Sequence, residues 1–176
     1  MKIVVLKGSA RPNSNSNALA DEFIRAAREN GHEIYEFDCT RRHVGGCLGC
    51  DKCGMRNPCV QRDDFDLLRP QLIEADAIVF STPIYYFGVS GQLKNVIDRF
   101  YSAHDVMGHK TTYFFATMGN PNVHVAHSAA EMYDKMVAYL GWTDGGKILA
   151  NGIWAQGDIQ GTPFMEEARI LGEKYK

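Results

Sequence analysis

Four of the five cysteines in this chain lie within thirteen residues of one another, whereas Cys39 stands apart. The four are Cys47, Cys50, Cys53 and Cys59. A secreted protein that depends on disulfides spreads its cysteines along the chain, so this row is not typical of a disulfide scaffold. Closely spaced thiols indicate metal binding or redox chemistry instead.

A second candidate site is the polar segment at residues 8–17, which follows the first apolar run. It carries three hydroxyls, three amides and one guanidinium, from Ser9, Arg11, Asn13, Ser14, Asn15, Ser16 and Asn17. Before a helix, free backbone N–H groups and the positive end of the helix dipole bind anions. The segment has neither a Gly-Lys-Ser/Thr ending nor a Gly-x-Gly-x-x-Gly motif, which favours the terminal phosphate of a mononucleotide. The alternative is that its Ser and Asn residues only cap the helix.

Two further loops follow strand-like runs. One is Pro83, Ile84, Tyr85, Tyr86, Phe87 and Gly88, and the other begins at Thr117, Met118 and Gly119. Three consecutive aromatic side chains are costly to expose, and a planar ring ligand could cover them. The alternative is that the aromatic rings pack against the helix that follows.

The elements that must position these loops alternate between strand and helix. Apolar runs predict strands at residues 2–6, 32–37, 77–81, 111–117 and 147–154, and apolar residues at helical spacing predict helices between them and after the last one. This order predicts an α/β fold, a three-layer doubly wound five-stranded parallel sheet. We predict one domain over residues 1–176, with a Cys-rich loop at residues 39–63 that is long enough to be functional. The polar and aromatic loops would converge at the carboxyl ends of the strands, where such sheets bind ligands.

The composition argues against several classes of function. The chain has 19 Lys and Arg against 21 Asp and Glu and no basic block, so we do not expect it to bind nucleic acid. Its apolar runs, such as residues 3–6 and 77–80, are far shorter than the ~20 residues that span a bilayer. The first strand begins at once and leaves no room for a secretory signal, so we expect no membrane association and a cytoplasmic location.

Three stretches together resemble the NADPH-dependent FMN reductase family. They are the segment at residues 8–17, Pro83–Phe87 and Leu93–Arg99. The cysteine row, followed by Asp63 and Asp64, narrows the resemblance to the iron–sulfur flavoprotein branch of that family. The resemblance implies a flavodoxin-like fold with strand order 2-1-3-4-5 and FMN between the ends of strands one and three. It also implies a homodimer or homotetramer.

The same resemblance implies which residues bind FMN. The phosphate would lie in the first loop, at Ser9, Arg11, Asn13, Ser14, Asn15 and Ser16. The ribityl chain and the ring would lie against Pro83, Ile84, Tyr85, Tyr86, Phe87, Gly88, Thr117, Met118 and Gly119. We interpret Asp98 and Arg99 as structural residues that pair with each other near the end of their helix.

The cysteine row resembles the motif that holds a [4Fe–4S] cluster in the iron–sulfur branch. Two-residue spacings let successive thiolates turn toward one centre, so Cys47, Cys50, Cys53 and Cys59 are the candidate ligands. Zinc is a weaker alternative, because zinc sites usually use two separated cysteine pairs. Free thiols beside a flavin are a third interpretation.

The resemblance implies the function of an NAD(P)H-dependent flavin oxidoreductase. Electrons from NADH or NADPH would pass through FMN to a quinone, an azo or nitro compound, free flavin or a protein. The cofactor does the chemistry, so no catalytic side chain is nominated. The alternative is a non-enzymatic flavin and iron–sulfur electron carrier that accepts electrons from ferredoxin.

Overall fold

A computed structural model describes residues 1–174 of the chain. The predicted domain runs to Lys176, so its last two residues lie outside the described residues. The elements in chain order are β1 (Lys2–Lys7), α1 (Asn15–Glu29), β2 (Glu33–Asp38), α2 (Phe65–Glu74), β3 (Ala77–Pro83), α3 (Gly91–Arg99), β4 (Thr111–Thr117), α4 (His127–Tyr139), β5 (Thr143–Ala150) and α5 (Pro163–Glu173).

The five strands form one parallel sheet in the order β2-β1-β3-β4-β5. Apolar side chains on one face of the sheet pack against α1 and α5, and those on the other face pack against α2, α3 and α4. The prediction of a three-layer doubly wound α/β fold with flavodoxin-like strand order is therefore confirmed. Between β1 and β3 the chain direction across the sheet reverses, and this is where such sheets bind ligands.

The central strands are apolar without alternation because helices cover both of their faces. In β1, Val4 and Val5 point to opposite layers and both are fully buried. In β3, Ile78 and Val79 also point to opposite layers, and both are fully buried. The unbroken apolar runs of the sequence therefore predicted these strands correctly.

Ser14 caps the N-terminus of α1, and its side-chain hydroxyl accepts a hydrogen bond from the backbone N–H of Asn17. Asn30 caps the C-terminus, and Gly31 then adopts a left-handed conformation with φ of 80°. Both ends agree with the capping residues in the sequence. The N-terminus of α1 thus lies at the carboxyl end of β1.

The predicted bounds of the fifth strand were wrong. We placed it at residues 147–154, but β5 is Thr143–Ala150. Gly145 and Gly146 at its start have no side chains, so they give no apolar pattern, and a register shift against β4 lies at the same place. Residues 151–154 leave the sheet, and they border the pocket described below.

The Cys-rich loop is long, as predicted. In the part of the chain that the structure describes, no helix or strand lies between Asp38 and Phe65. Among residues 1–174, no helix combines the length and apolar character that crossing a membrane requires.

Candidate functional site

A cavity of about 370 Å³ lies at the carboxyl ends of β1, β3 and β4. This volume is at the lower end of the range for small-molecule sites, roughly 300–1,000 Å³. The lining residues are Ser9, Arg11, Pro12, Ser14, Asn15, Ser16, Pro83, Ile84, Tyr85, Thr117, Met118, Gly119, Ile153, Trp154 and Gln156. The structure thus brings the three loops singled out in the sequence to one place.

The first end of the cavity is built by the polar loop and the start of α1. Ser9, Ser14 and Ser16 are buried, and the hydroxyls of Ser14 and Ser16 lie 3.5 Å apart. Ser14 caps the helix, and its oxygens accept hydrogen bonds from the N–H groups of Asn17 and Ala18. The N–H groups of α1 that precede Asn17 have no acceptor within the helix. Hydroxyl donors and free N–H groups at a helix N-terminus suit a phosphate.

Arg11 supplies the positive charge at this end. Its side chain is exposed at the rim of the cavity, and its backbone N–H donates to the Ser9 hydroxyl over 3.4 Å. Among residues 1–174, no hydrogen bond or ion pair engages the Arg11 guanidinium. An uncommitted guanidinium can bind phosphate oxygens with paired donors.

Asn15 has a different role from its neighbours. Its side-chain N–H donates to the carbonyl of Ala155 over 2.8 Å, and its side-chain oxygen accepts from the N–H groups of Gly157 and Ile159. Asn15 therefore ties the polar loop to the segment after β5, although it also borders the cavity. Asn13 has φ of 50° and borders a second, open cavity beside α1 instead.

The second end of the cavity is built by the loops after β3 and β4. The N–H of Ile84 donates to the carbonyl of Thr117 over 2.9 Å, which joins the two loops. Pro83, Ile84 and Tyr85 line one side, and Thr117, Met118 and Gly119 line another. This end is mostly apolar with backbone polar groups between the side chains, which suits a planar ring with a polar edge.

A tight turn extends beyond the cavity. Tyr85 and Gly88 exchange two backbone hydrogen bonds, of 3.0 and 3.1 Å. Tyr86 and Phe87 between them have φ of 45° and 66°, and the Tyr86 side chain is 100% exposed. The left-handed region is costly for bulky residues, and such strain concentrates at binding sites. Tyr86, Phe87 and Gly88 belong to the same loop as Pro83–Tyr85, but they are not among the residues that line the cavity.

Four lining residues escaped the sequence analysis, namely Pro12, Ile153, Trp154 and Gln156. The last three follow β5, and we had assigned Ile153 and Trp154 to that strand. The apolar character of residues 147–154 hid the end of the strand. The pair Asn151 and Gly152 was a usable turn signal, and Gly152 indeed has φ of 71°.

The cysteines of the row do not converge in the structure. Cys47 and Cys50 are exposed, Cys53 is buried and Cys59 is partly buried. Within residues 1–174, no group of three or more His, Cys, Asp or Glu side chains could hold a metal ion. Among residues 1–174 the arrangement therefore does not fit a four-cysteine cluster, and none of the five cysteines forms a disulfide.

The cysteine loop is anchored by a buried ion pair instead. Arg99 donates to both carboxylate oxygens of Asp63, over 2.6 and 3.2 Å, and the two side chains are 1% and 6% exposed. Arg99 also donates to the carbonyl of Gly45, and Gly45 donates its N–H to Asp63. Both ends of the loop are thus fixed to the end of α3.

The expected pairing between Asp98 and Arg99 was wrong. Asp98 pairs with Lys94 on the exposed face of α3, over 2.6 Å. Neighbouring helix positions point in different directions, whereas positions four apart share a face. Arg99 points inward to Asp63, where it also lies over the ring of Phe65. Burial opposes ionisation of Asp63, but hydrogen bonds from Arg99 and from the N–H groups of Gly45 and Phe65 hold its pKa below the ordinary value.

The fold and the cavity define a class of protein. It is a flavodoxin-like α/β protein with a polar loop at a helix N-terminus and an adjoining pocket at the point where the strand order reverses. The model of the NADPH-dependent FMN reductase family matches residues 1–154. The chain belongs to this family.

Comparisons with individual proteins agree with that assignment. An iron-sulfur flavoprotein of Archaeoglobus fulgidus is 34% identical over 99 residues, which cover 56% of this chain and 45% of that protein. The chain spans about half the length of the curated relatives it matches.

Two solved structures share the fold. The NAD(P)H:quinone oxidoreductase of Methanothermobacter marburgensis has a TM-score of 0.76 at 15% identity, covering 100% of this chain and 99% of that chain. An FMN-dependent NADH-azoreductase of Bacillus anthracis, solved in complex with FMN, has a TM-score of 0.70 at 14% identity, covering 99% of both chains.

Proposed function

We propose that this protein is an FMN-dependent NAD(P)H oxidoreductase. Electrons from NADH or NADPH pass through FMN to an acceptor such as a quinone, an azo or nitro compound, free flavin or a protein. Membership of the FMN reductase family supports the proposal. The observation that carries it is the single cavity with hydroxyls and an uncommitted guanidinium at one end and apolar loops at the other.

The phosphate of FMN binds in the polar loop. Ser14 and Ser16 present hydroxyls beside the N-terminus of α1, and Arg11 adds a charged donor from the rim. The backbone of the loop and the hydroxyl of Ser14 are fixed before the ligand arrives, because Ser14 caps the helix and Asn15 is tied to the segment after β5. Donors that are already in place need little ordering, which favours tight binding.

The ring of FMN binds at the apolar end. Pro83, Ile84 and Tyr85 lie on one side, and Thr117–Gly119 lie on another. Bound there, FMN would supply the hydride-accepting and electron-donating chemistry of the reaction. The protein positions the ring and excludes part of the solvent, and no side chain needs to act as acid or base.

Anaerobic mixing tests the proposal. Oxidised, FMN-loaded protein is mixed with NADH or with NADPH, and absorbance in the flavin band is followed. We expect rapid bleaching with at least one nucleotide, and much slower bleaching of free FMN at the same concentrations. Indifference of the loaded protein to both nucleotides would contradict a reductase.

A second candidate function is a non-enzymatic electron carrier that holds an iron–sulfur cluster and accepts electrons from ferredoxin. Similarity to the iron-sulfur flavoprotein of Archaeoglobus fulgidus favours it. The positions of the thiols do not, because no metal-holding group forms among residues 1–174. Iron and acid-labile sulfide are therefore measured on anaerobically purified protein. About four iron atoms per chain, lost in Cys50→Ser while FMN remains, would establish the carrier as the better description.

Thiol titration of the same sample also distinguishes free thiols from thiols that bind an iron–sulfur cluster. We expect Cys47 and Cys50 to react first with a disulfide reagent, because both are exposed. Cys39 reacts last, since burial and the nearby Asp38 raise the pKa of its thiol. A cluster would instead protect the whole row.

We also propose that the chain forms a homodimer or homotetramer. The rings of Tyr86 and Phe87 are exposed beside the cavity, where a second copy would cover them. Sedimentation velocity tests this proposal. The expected result is a species of at least two chains that Tyr86→Ser with Phe87→Ser weakens, and a monomer at all concentrations would contradict it.

A further inference from the structure

Among the large apolar side chains that line the cavity, that of Trp154 is the most exposed. Its side chain is 79% exposed, whereas Trp142, the other tryptophan, is 7% exposed and donates its indole N–H to the carbonyl of Gly108. Exposing an indole costs hydrophobic free energy unless a ligand or partner covers it. Trp154 also lies in the lining of the cavity, beside Ile153 and Gly119.

The position of the indole depends on Gly119 at the end of β4. A Cβ atom on residue 119 would lie 2.2 Å from Cε3 of Trp154 and 3.0 Å from Cζ3. The six-membered part of the indole therefore rests directly on the backbone of Gly119. Only glycine permits this approach, because a Cβ atom would force the indole to move.

The backbone on both sides of Trp154 is fixed. The N–H of Ile153 donates to the carbonyl of Met118 over 2.8 Å. The N–H groups of Trp154 and Ala155 donate to the carboxylate of Asp158 over 3.1 and 2.6 Å. Asn15 then holds Ala155 to the polar loop. The segment thus bridges the two ends of the cavity and presents the indole from a rigid support.

We propose that Trp154 is a ring-contacting residue for the flavin and helps to select a flat aromatic ligand. The inference rests on the proposed function. Trp154 lines the cavity in which we propose that FMN binds, and its indole lies against Gly119 in the loop assigned to the ring, so the indole is placed to contact that ring. Contact with the indole adds apolar burial and an aromatic interaction to FMN binding. Gly119 is the matching positioning residue, because it creates the space in which the indole lies.

Binding affinities of four proteins test the inference. The proteins are the wild type, Trp154→Ala, Gly119→Ala and the double variant, each stripped of flavin and titrated with FMN. We expect Trp154→Ala to weaken binding about tenfold. Gly119→Ala should weaken it to a similar extent by displacing the exposed indole, and it should add little when Trp154 is already Ala. Trp154→Phe should retain most of the affinity.

Riboflavin provides a second, independent readout because it has the ring but no phosphate. The loss caused by Trp154→Ala should be the same for riboflavin as for FMN, since the indole contacts the ring. Wild-type affinity for both ligands in Trp154→Ala would overturn the inference. So would a Gly119→Ala loss that is equally large in both backgrounds. A wild-type protein that binds neither ligand would overturn the proposed function and the inference together.

Discussion

The loops after β1 and β2 leave the same edge of the sheet, but they use their polar groups in opposite ways. In the polar loop, the guanidinium of Arg11 and the hydroxyls of Ser14 and Ser16 face a cavity. In the cysteine loop, Asp63 accepts hydrogen bonds from Arg99 of α3 and from the backbone N–H of Gly45, and Arg99 also donates to the carbonyl of Gly45. A loop that binds a ligand keeps donors uncommitted, whereas a loop that stabilises the fold satisfies its own groups.

The comparison also shows how the backbone of the cysteine loop is held in place. Spacing in the sequence shows that thiols can meet, but the path of the loop decides whether they do. Here the backbone of the loop is fixed by the ion pair, and by Asn95, which donates its side-chain N–H to the carbonyl of Val44 over 3.2 Å. Within that framework, no three thiols among residues 1–174 form a group that could hold a metal ion.

The largest predicted effect is loss of the buried ion pair. Asp63→Asn leaves the charge of Arg99 buried without its partner, and we expect it to lower the free energy of unfolding by about 3–5 kcal/mol. Urea denaturation measures the change. The control is Asp98→Asn, which breaks the exposed pair with Lys94 and should cost about 0.5 kcal/mol or less. Equal effects of the two variants would contradict a structural role for the ion pair between Asp63 and Arg99.

The next effect concerns the polar loop. Arg11→Ala and Ser16→Ala should each weaken FMN binding, Arg11→Ala by about 1.5–3 kcal/mol because it removes a charged donor. Arg41→Ala is the charge-matched control, since its side chain is 80% exposed and pairs with Asp38 outside this cavity. FMN titration monitored by flavin fluorescence measures all three. A loss of affinity in Arg41→Ala as large as in Arg11→Ala would mean that only net charge matters.

A pH dependence follows from the lowered pKa of Asp63. The ion pair contributes stability above the ordinary carboxyl pKa of about 3.9, and this contribution is lost as the pH falls through the lower pKa of the folded state. The difference in unfolding free energy between wild type and Asp63→Asn should therefore be largest near pH 7 and shrink below about pH 4. Urea unfolding at several pH values checks this, and a difference that stays constant with pH would contradict it.

The smallest predicted effect is relief of strain in the turn beside the cavity. Tyr86→Gly should raise the free energy of unfolding by about 0.5–1 kcal/mol, because glycine adopts positive φ without steric cost but loses more chain entropy. Tyr86→Ala removes the same exposed ring and keeps a Cβ atom, so it should bring no gain. An equal gain in unfolding free energy in both variants would show that removal of the ring, and not relief of backbone strain, causes the effect.

Much of the fold was predictable from the sequence because burial of the central strands on both faces leaves unbroken apolar runs. The residues of β1 and β3 are the best examples. The start of β5 was not predictable, since Gly145 and Gly146 carry no side chains whose pattern could show it. The partner of Arg99 was also missed, because Asp63 is 36 residues away and only the folded loop brings the two together.

The part of the candidate site that is formed by loops directly after strands was predictable. Ser9, Ser14 and Ser16 line the cavity because a parallel sheet collects the carboxyl ends of its strands at one edge. Trp154 was not predictable in this way. Its place depends on the close approach to Gly119, a contact between residues 35 positions apart that no local pattern records.

The central claim is that the polar loop holds the phosphate of FMN. Titration of flavin-free wild-type protein with FMN and with riboflavin, side by side, tests it most directly. We expect FMN to bind at least about a hundredfold more tightly than riboflavin, and Arg11→Ala to reduce that ratio while leaving riboflavin affinity unchanged. Equal affinity for the two ligands, or no binding of either, would contradict the account.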